Sequence, residues 1–233
     1  MKKYAISKPE AVALMIGPIL ALGFFLLEPG GVLIDSKDST DHMGKVTAFV
    51  ENSALSHVVA LVVPFALVLA LYGFAGLHRV IDKNDLFDGL ARLGIVSLII
   101  GGVGWIMVQG LAHVMANTDL GSESEVSAAL SLYSVDVGLT LISSLAVSLG
   151  LVAFSLGVAM EEDAGIHRIL ALVITVVSLV SVVALIIGHS QANETMVAIG
   201  RACYFPWVFW MVLLGARLLN PDAANAPVIA GED

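Results

Sequence analysis

Long runs of hydrophobic residues, separated by short polar segments, dominate the chain. Six runs approach or exceed the roughly 17 to 25 residues that a helix needs to cross a bilayer. Segments that alternate between hydrophobic and polar positions, as strands do, are not evident. Because lipid forces backbone groups to bond internally, we predict an all-α integral membrane bundle of six transmembrane helices in one domain, 1–233. The predicted spans are residues 11–27, 54–77, 93–115, 130–158, 169–188 and 201–219.

Polar residues beside the runs predict where two helices begin. Ser122-x-x-Glu125 is a capping-box pattern ahead of the fourth run. Between the first two runs, hydrophobic residues recur at helical spacing, at Met43, Val46, Phe49 and Val50. Ser39 or Thr40 precedes them as a candidate N-cap. We therefore expect a short amphipathic helix on the outer surface between spans 1 and 2.

Positive charges in the loops predict the orientation. Six spans place both termini on one side, and cytoplasmic loops are enriched in Lys and Arg. With the termini in the cytoplasm, eight basic residues lie inside: Lys2, Lys3, Lys8, Arg79, Lys83, Arg92, Arg168 and Arg217. Three lie outside: Lys37, Lys45 and Arg201. We therefore predict that both termini are cytoplasmic.

Composition supports the lipid bilayer as the main partner. Hydrophobic residues make up 58% of the chain and charged residues 13%, which exceeds what a soluble core requires. The net charge of −9 argues against a nucleic-acid partner. The lone Cys203 excludes an internal disulfide. Serine-hydrolase, nucleotide-binding and zinc-protease motifs are not found, so the sequence leaves open whether the protein is an enzyme.

Polar residues gather near the predicted outer ends of the spans. His57 begins the second span, His113 ends the third and His189 follows the fifth. Asp136 lies within the fourth run, at about the depth of Gln109. An ionisable side chain at this depth faces the bundle interior by default. The pattern predicts a polar pocket that opens to the outer side and is floored by Asp136.

The residue types in this pocket favour a metal site. Imidazole and carboxylate groups together suit Zn, Cu or non-haem Fe. The predicted ligands are His57, His113, His189, Asp136 and Glu51. Gln109 and Arg201 are candidate cofactor-binding residues at the same end. Since the histidines are not paired four residues apart, this site depends on how the helices pack.

Other interpretations of the same residues remain open. Two histidines could ligate a b-type haem, or each histidine could simply bond to loops at the interface. Arg201 could form a structural ion pair with Asp136, Glu51 or Glu194. Glycines near residues 101–104 could allow close helix packing. The aromatic residues of the last span suit an interfacial belt: Tyr204, Trp207 and Trp210.

The segment ENSALSH, Glu51 to His57, resembles a known family element. Ser53 and His57 match the Ser-x-x-x-His element of the alkaline ceramidase and adiponectin-receptor group of membrane zinc hydrolases. The resemblance covers seven residues, and this sequence has neither the seventh span nor the His-x-x-x-His of that group. It implies lipid-directed hydrolysis at an intramembrane metal by analogy alone.

Three functional hypotheses follow. The first is a membrane metalloenzyme acting on a membrane-soluble small molecule, or a metal-holding subunit of a redox complex. The second is a non-catalytic accessory or scaffold subunit. The third is a small-solute or proton pathway along Asp136, Thr140 and neighbouring serines. We also expect a homo-oligomer or a subunit of a larger membrane complex.

Overall fold

The computed structural model describes residues 6–80, 86–161 and 165–219, and no β-strand occurs in these ranges. Eight helices follow in chain order: α1 Lys8–Leu26, α2 His42–Glu51, α3 Ser53–Val80, α4 Leu86–Met115, α5 Glu123–Glu161, α6 Ile166–Ser190, α7 Glu194–Ala202 and α8 Tyr204–Leu219. Six stretches are long and apolar enough to cross a membrane; α7 and α8 together form the last. The predicted all-helical bundle, with six stretches long and apolar enough to span a membrane, is confirmed.

Helix α5 extends well beyond its predicted start at residue 130. It begins at Glu123, and the Ser122 hydroxyl donates to the Glu125 carboxylate at 2.6 Å. The backbone N–H of Glu125 donates back to Ser122 Oγ at 3.4 Å. The bond from the Glu125 N–H makes Ser122 an N-cap, as the sequence pattern predicted. In a full capping box the Glu125 carboxylate accepts from the Ser122 backbone N–H; here it accepts from the Ser122 hydroxyl.

The last predicted span, 201–219, is divided between two helices. Helix α7 begins at Glu194, with the Asn193 side chain accepting from the N–H of Met196 at 3.1 Å. It ends at Ala202, and α8 begins at Tyr204. Pro206 accounts for the break, because its ring has no N–H to donate and clashes with the carbonyl four residues earlier.

The N-cap of α2 differs from the prediction of Ser39 or Thr40. Asp41 caps the helix and accepts from the N–H of Gly44 at 2.8 Å. Ser39 and Thr40 instead bond to Glu194 Oε1, with the Ser39 hydroxyl at 2.6 Å and the Thr40 N–H at 3.3 Å. These bonds tie the loop before α2 to the start of α7. We call the end of the bundle that carries α2 and α7 the α2 end.

The spanning helices form a ring around the bundle axis. Helix α1 packs between α8 and α3, α4 packs between α3 and α5, and α6 packs between α5 and the α7–α8 pair. Val46 and Phe49 of α2 pack onto α4 and α5. Helix α2 therefore covers part of the α2 end.

Glycines bring α4 and α5 into close contact. A Cβ atom on Gly94 would lie 2.4 Å from the Phe154 nitrogen and 2.6 Å from the Gly150 carbonyl oxygen. A Cβ on Gly101 would lie 2.7 Å from the Ser143 carbonyl oxygen. These helices touch through backbone atoms, which a methyl group would force apart.

Gly94→Ala is therefore expected to lower the free energy of unfolding by about 1–3 kcal/mol, the usual cost of overpacking. Gly110→Ala is the matched control, because no heavy atom outside its own backbone surroundings lies within 4 Å of a Cβ there. Thermal unfolding of both variants in detergent measures the difference. Equal stability of the two variants would contradict the observed α4–α5 packing.

Candidate functional site

An elongated cavity of about 480 Å³ runs inside the ring of helices. All eight helices contribute to its lining. Its volume lies in the range of small-molecule binding sites, about 300–1,000 Å³. The site is therefore a property of the whole bundle and is not carried by one short motif.

One face of α5 shows the length of the cavity. The lining residues of this helix recur every three or four positions: Tyr133, Asp136, Val137, Thr140, Ser144, Val147 and Leu151. This spacing defines a single helix face. At 1.5 Å per residue, the stripe extends roughly 27 Å along the bundle.

The cavity lining changes from polar to apolar along this axis. Ionisable residues lie at the α2 end: Glu28, Lys45, Asp136 and Arg201. The lining toward the opposite end is apolar: Phe74, Leu98, Val147, Leu151 and Met211. The cavity is therefore amphipathic along its length.

Asp136 and Gln109 line the polar part of the cavity with unsatisfied atoms. Both residues are buried, and neither Asp136 Oδ1 nor Gln109 Oε1 has a hydrogen-bond partner. Gly104 of α4 meets Ser143 of α5, and from this contact Gln109 and Asp136 each lie toward the α2 end. Counted at 1.5 Å per residue, the two side chains lie within about one helical turn of each other along the bundle axis. Buried polar atoms normally have a partner, so these two acceptors suit a donor on a bound molecule.

The sequence had suggested that Asp136 forms the floor of the pocket, but it does not. The lining continues along α5 from Asp136 to Leu151, about 22 Å further at 1.5 Å per residue. The polar pocket is thus the part of the cavity nearest the α2 end, and the apolar part continues beyond it.

Aromatic side chains form the middle of the cavity wall. The indole N–H of Trp105 donates to Ser144 Oγ at 3.3 Å, and this hydroxyl lies 3.0 Å from the Tyr204 hydroxyl. Trp207 packs against Tyr204 with ring centroids 5.1 Å apart, and its Nε1 has no partner. Trp207 and Trp210 are buried, which corrects the prediction of an interfacial belt. The apolar residues of this segment recur every three or four positions. That spacing could have indicated from the sequence that the tryptophans face into the bundle.

Lys45, Arg201 and Glu28 lie together at the α2 end. Of these three, only Arg201 was predicted from the sequence as a site residue. Lys45 is 5% exposed and donates to the carbonyl oxygen of Gly30. Burial raises the pKa of Glu28 to about 7, although the charges of Lys45 and Arg201 oppose the shift. Burial and the Arg201 charge lower the pKa of Lys45. Glu28 was missed because it lies in a loop.

Arg201 lines the cavity without forming the ion pair that the sequence suggested. Among the residues that the structure describes, no salt bridge or hydrogen bond joins its guanidinium to Asp136, Glu51 or Glu194. Glu194 accepts its bonds from Ser39 and Thr40 instead. The guanidinium therefore keeps its donors for another partner.

The five predicted metal ligands are divided between separate places. His57 and His113 meet where α3 and α4 adjoin, with their Nδ1 atoms 3.0 Å apart, and they do not line the cavity. His189 and Asp136 line the cavity, whereas Glu51 is exposed at the end of α2. Within residues 6–80, 86–161 and 165–219, no group of three or more His, Cys, Asp or Glu side chains could hold a metal ion. The rotation of each helix about its own axis places the five predicted ligands on different surfaces of the bundle.

The serines of α5 serve two different surfaces. Ser144 lines the cavity, but Ser148 bonds to Ser181 at 3.1 Å and Ser155 to Thr175 at 2.8 Å. The latter pairs join α5 to α6 inside the helix packing. They do not extend a polar path along the cavity.

Recognition of a ligand here depends on the arrangement of eight helices. The residues that carry it are spread from α1 to α8 and form no contiguous motif. No family model, characterised protein or solved structure matches the chain.

Proposed function

We propose that this integral membrane protein binds an elongated, membrane-soluble amphipathic molecule inside its helical bundle. The observation that carries the proposal is a continuous cavity that changes from polar to apolar over roughly 27 Å. The polar group of the ligand lies at the α2 end, near Asp136 and Gln109. Its hydrocarbon chain extends toward Leu151 and Met211.

The α2 end is placed at the outer face of the membrane in this proposal. Eight of the eleven basic residues then lie on the cytoplasmic side with both termini, in accord with the positive-inside rule. Helix α2 lies at the outer surface, with Val46 and Phe49 turned into the bundle. The ligand's polar group is therefore held at the level of the outer leaflet.

Binding is the role that these side chains support most directly. The cavity offers acceptors at Asp136 and Gln109 and donors at Arg201 and Trp207. On the side of Ser144 away from the α2 end, the cavity wall is apolar. Such a wall favours a hydrocarbon chain over the small-solute or proton pathway that the sequence suggested. An accessory subunit of a larger complex could use the same cavity to hold a lipid.

Photolabelling tests where such a molecule lies. Two 16-carbon probes, a monoacylglycerol and a lysophosphatidate, are each made with a diazirine at the chain end or beside the polar group. Chain-end probes should label residues around Leu151 and Met211, and head-end probes should label residues around Tyr133 and Arg201. Labelling by every probe only at lipid-exposed positions, such as Ile142 and Phe209, would refute the proposal.

A second candidate function, metal binding, is favoured by the contact between His57 and His113. Zinc binds imidazole nitrogen at about 2.0–2.1 Å, so two ligands on one ion lie roughly 3 Å apart. The Nδ1 separation of 3.0 Å fits this geometry, with water completing the shell. Zn, Cu and non-haem Fe accept such ligands. Haem does not suit this pair, because ring centroids 4.6 Å apart leave no room for a porphyrin between them.

We predict that the purified protein binds one Zn²⁺ or Cu²⁺ ion through this pair. His57→Gln and His113→Gln should each abolish the binding measured by calorimetry, because one imidazole alone cannot chelate. His189→Gln should leave it unchanged, since His189 lines the separate cavity. No binding by the wild type, or equal loss in the His189 variant, would contradict a two-histidine site.

A further inference from the structure

We infer that the polar group of the ligand is an anion, the phosphate or carboxylate of a single-chain lipid, bound between Arg201 and Lys45. The inference rests on the proposed function and names the headgroup class that the cavity selects. Both cations line the α2 end of the same cavity.

Arg201 supplies the first half of the anion site. Its side chain is partly buried and makes no ion pair or hydrogen bond among the described residues. A guanidinium offers five N–H donors in a planar fork that matches carboxylate and phosphate oxygens. A partly buried charge without a partner is costly, and an anion in the cavity provides that partner.

Lys45 supplies the second half. Its ammonium group has three donors, and within the described part of the chain one of them is used, in a hydrogen bond to the Gly30 carbonyl oxygen. Burial, and after it the charge of Arg201, lowers the pKa of the Lys45 ammonium group. Two neighbouring cations that repel each other are both stabilised by an anion placed between them.

Glu28 tunes the charge of this site. Lys45 and Arg201 act on it from α2 and α7, and Asp136 and Tyr133 lie near it on α5. Its pKa of about 7 leaves it largely neutral below pH 7, when both cations are available to a ligand. Above pH 7 its carboxylate competes for them and repels a bound anion. Affinity for an anionic lipid should therefore fall as the pH rises through about 7.

The deeper acceptors fit the part of a lipid that follows the phosphate. Asp136 Oδ1 and Gln109 Oε1 each lack a donor. The glycerol hydroxyl of a lysophosphatidate could donate to either atom while its phosphate binds Arg201. A single chain fits the narrow apolar part of the cavity lined by Val147, Leu151 and Met211.

Matched lipids test the inference. The affinity of 1-palmitoyl-lysophosphatidate is compared with that of 1-palmitoylglycerol, which lacks only the phosphate, in phosphatidylcholine nanodiscs by native mass spectrometry. The wild type should bind the phosphate lipid at least about 10-fold more tightly, and Arg201→Gln should remove most of this preference, a reduction on the order of 10-fold. Lys37→Gln is the control, because this partly exposed lysine pairs with Asp35 at 2.7 Å and does not line the cavity.

The outcomes separate the two proposals. Equal binding of both lipids, unchanged in Arg201→Gln, would overturn the anion site and leave the amphipathic ligand intact. Failure of both lipids to bind would overturn the proposed function itself. Binding of inorganic phosphate as tight as that of the phosphate lipid would support an anion site but contradict an amphipathic ligand.

The pH dependence is measured with hexadecanesulfonate, whose charge does not change near neutrality. Its affinity for the wild type should fall several-fold between pH 6 and pH 8, as Glu28 loses its proton. In Glu28→Gln this fall in affinity should be much smaller. An equal pH dependence in the two proteins would exclude Glu28 as the group that tunes the site.

Discussion

Gly102→Trp is expected to abolish binding of the amphipathic ligand, with a loss of at least about 100-fold in affinity. Gly102 is buried and lines the cavity between its polar and apolar parts. A Cβ there would lie 2.9 Å from the Leu71 methyl group Cδ2, which itself lines the cavity and can shift. An indole at this position would occupy the space that the ligand chain needs. Titration with the two palmitoyl lipids measures the loss.

Gly110→Trp is the control for this substitution. Gly110 lies two helical turns further along α4 and is exposed, and a Cβ added there would meet no heavy atom within 4 Å beyond its own backbone surroundings. This variant should bind both lipids as the wild type does. Unchanged binding by a folded Gly102→Trp protein would mean that the ligand does not occupy the cavity.

Asp136→Leu is expected to raise stability while weakening ligand binding. The buried Asp136 Oδ1 has no hydrogen-bond partner, and an unsatisfied buried polar group costs about 1–3 kcal/mol. A leucine of similar size removes that cost, so the free energy of unfolding should rise by a comparable amount. It also removes an acceptor for the ligand's polar group, and affinity should fall about 10-fold.

Thermal unfolding and lipid titration on the same preparation measure both effects. Asp136→Asn keeps a polar side chain and should retain most of the affinity without the full gain in stability. If Asp136→Leu were less stable than the wild type, Asp136 would have a structural role. The unsatisfied carboxylate would then not belong to a ligand site.

The spanning helices could be predicted because each needs only one long apolar run. The Ser122 cap of α5 was likewise readable, since its bond joins residues three apart. The break at Cys203 was missed, although Pro206 carried the signal. The cap of α2 was misassigned because Ser39 and Thr40 bond to Glu194, about 155 residues away in sequence.

The candidate site was only partly readable from the sequence. Four of the predicted ligand and cofactor-binding residues line the cavity: Gln109, Asp136, His189 and Arg201. Their depth could be estimated from residue counts, but the rotation of each helix about its axis could not. That rotation turns Gln109 into the cavity and places His113, one turn away, against His57. Glu28 lies in a loop, where no apolar period indicates which way a side chain faces. The apolar period of α2 was recognised, but it gave no sign that Lys45 would lie on the buried face of that helix.

The most direct test of the central claim is native mass spectrometry of the protein loaded with 1-palmitoyl-lysophosphatidate. We predict one retained lipid on the wild type and on Gly110→Trp, and none on folded Gly102→Trp. Retention of the same lipid by all three proteins would contradict a ligand site inside the bundle.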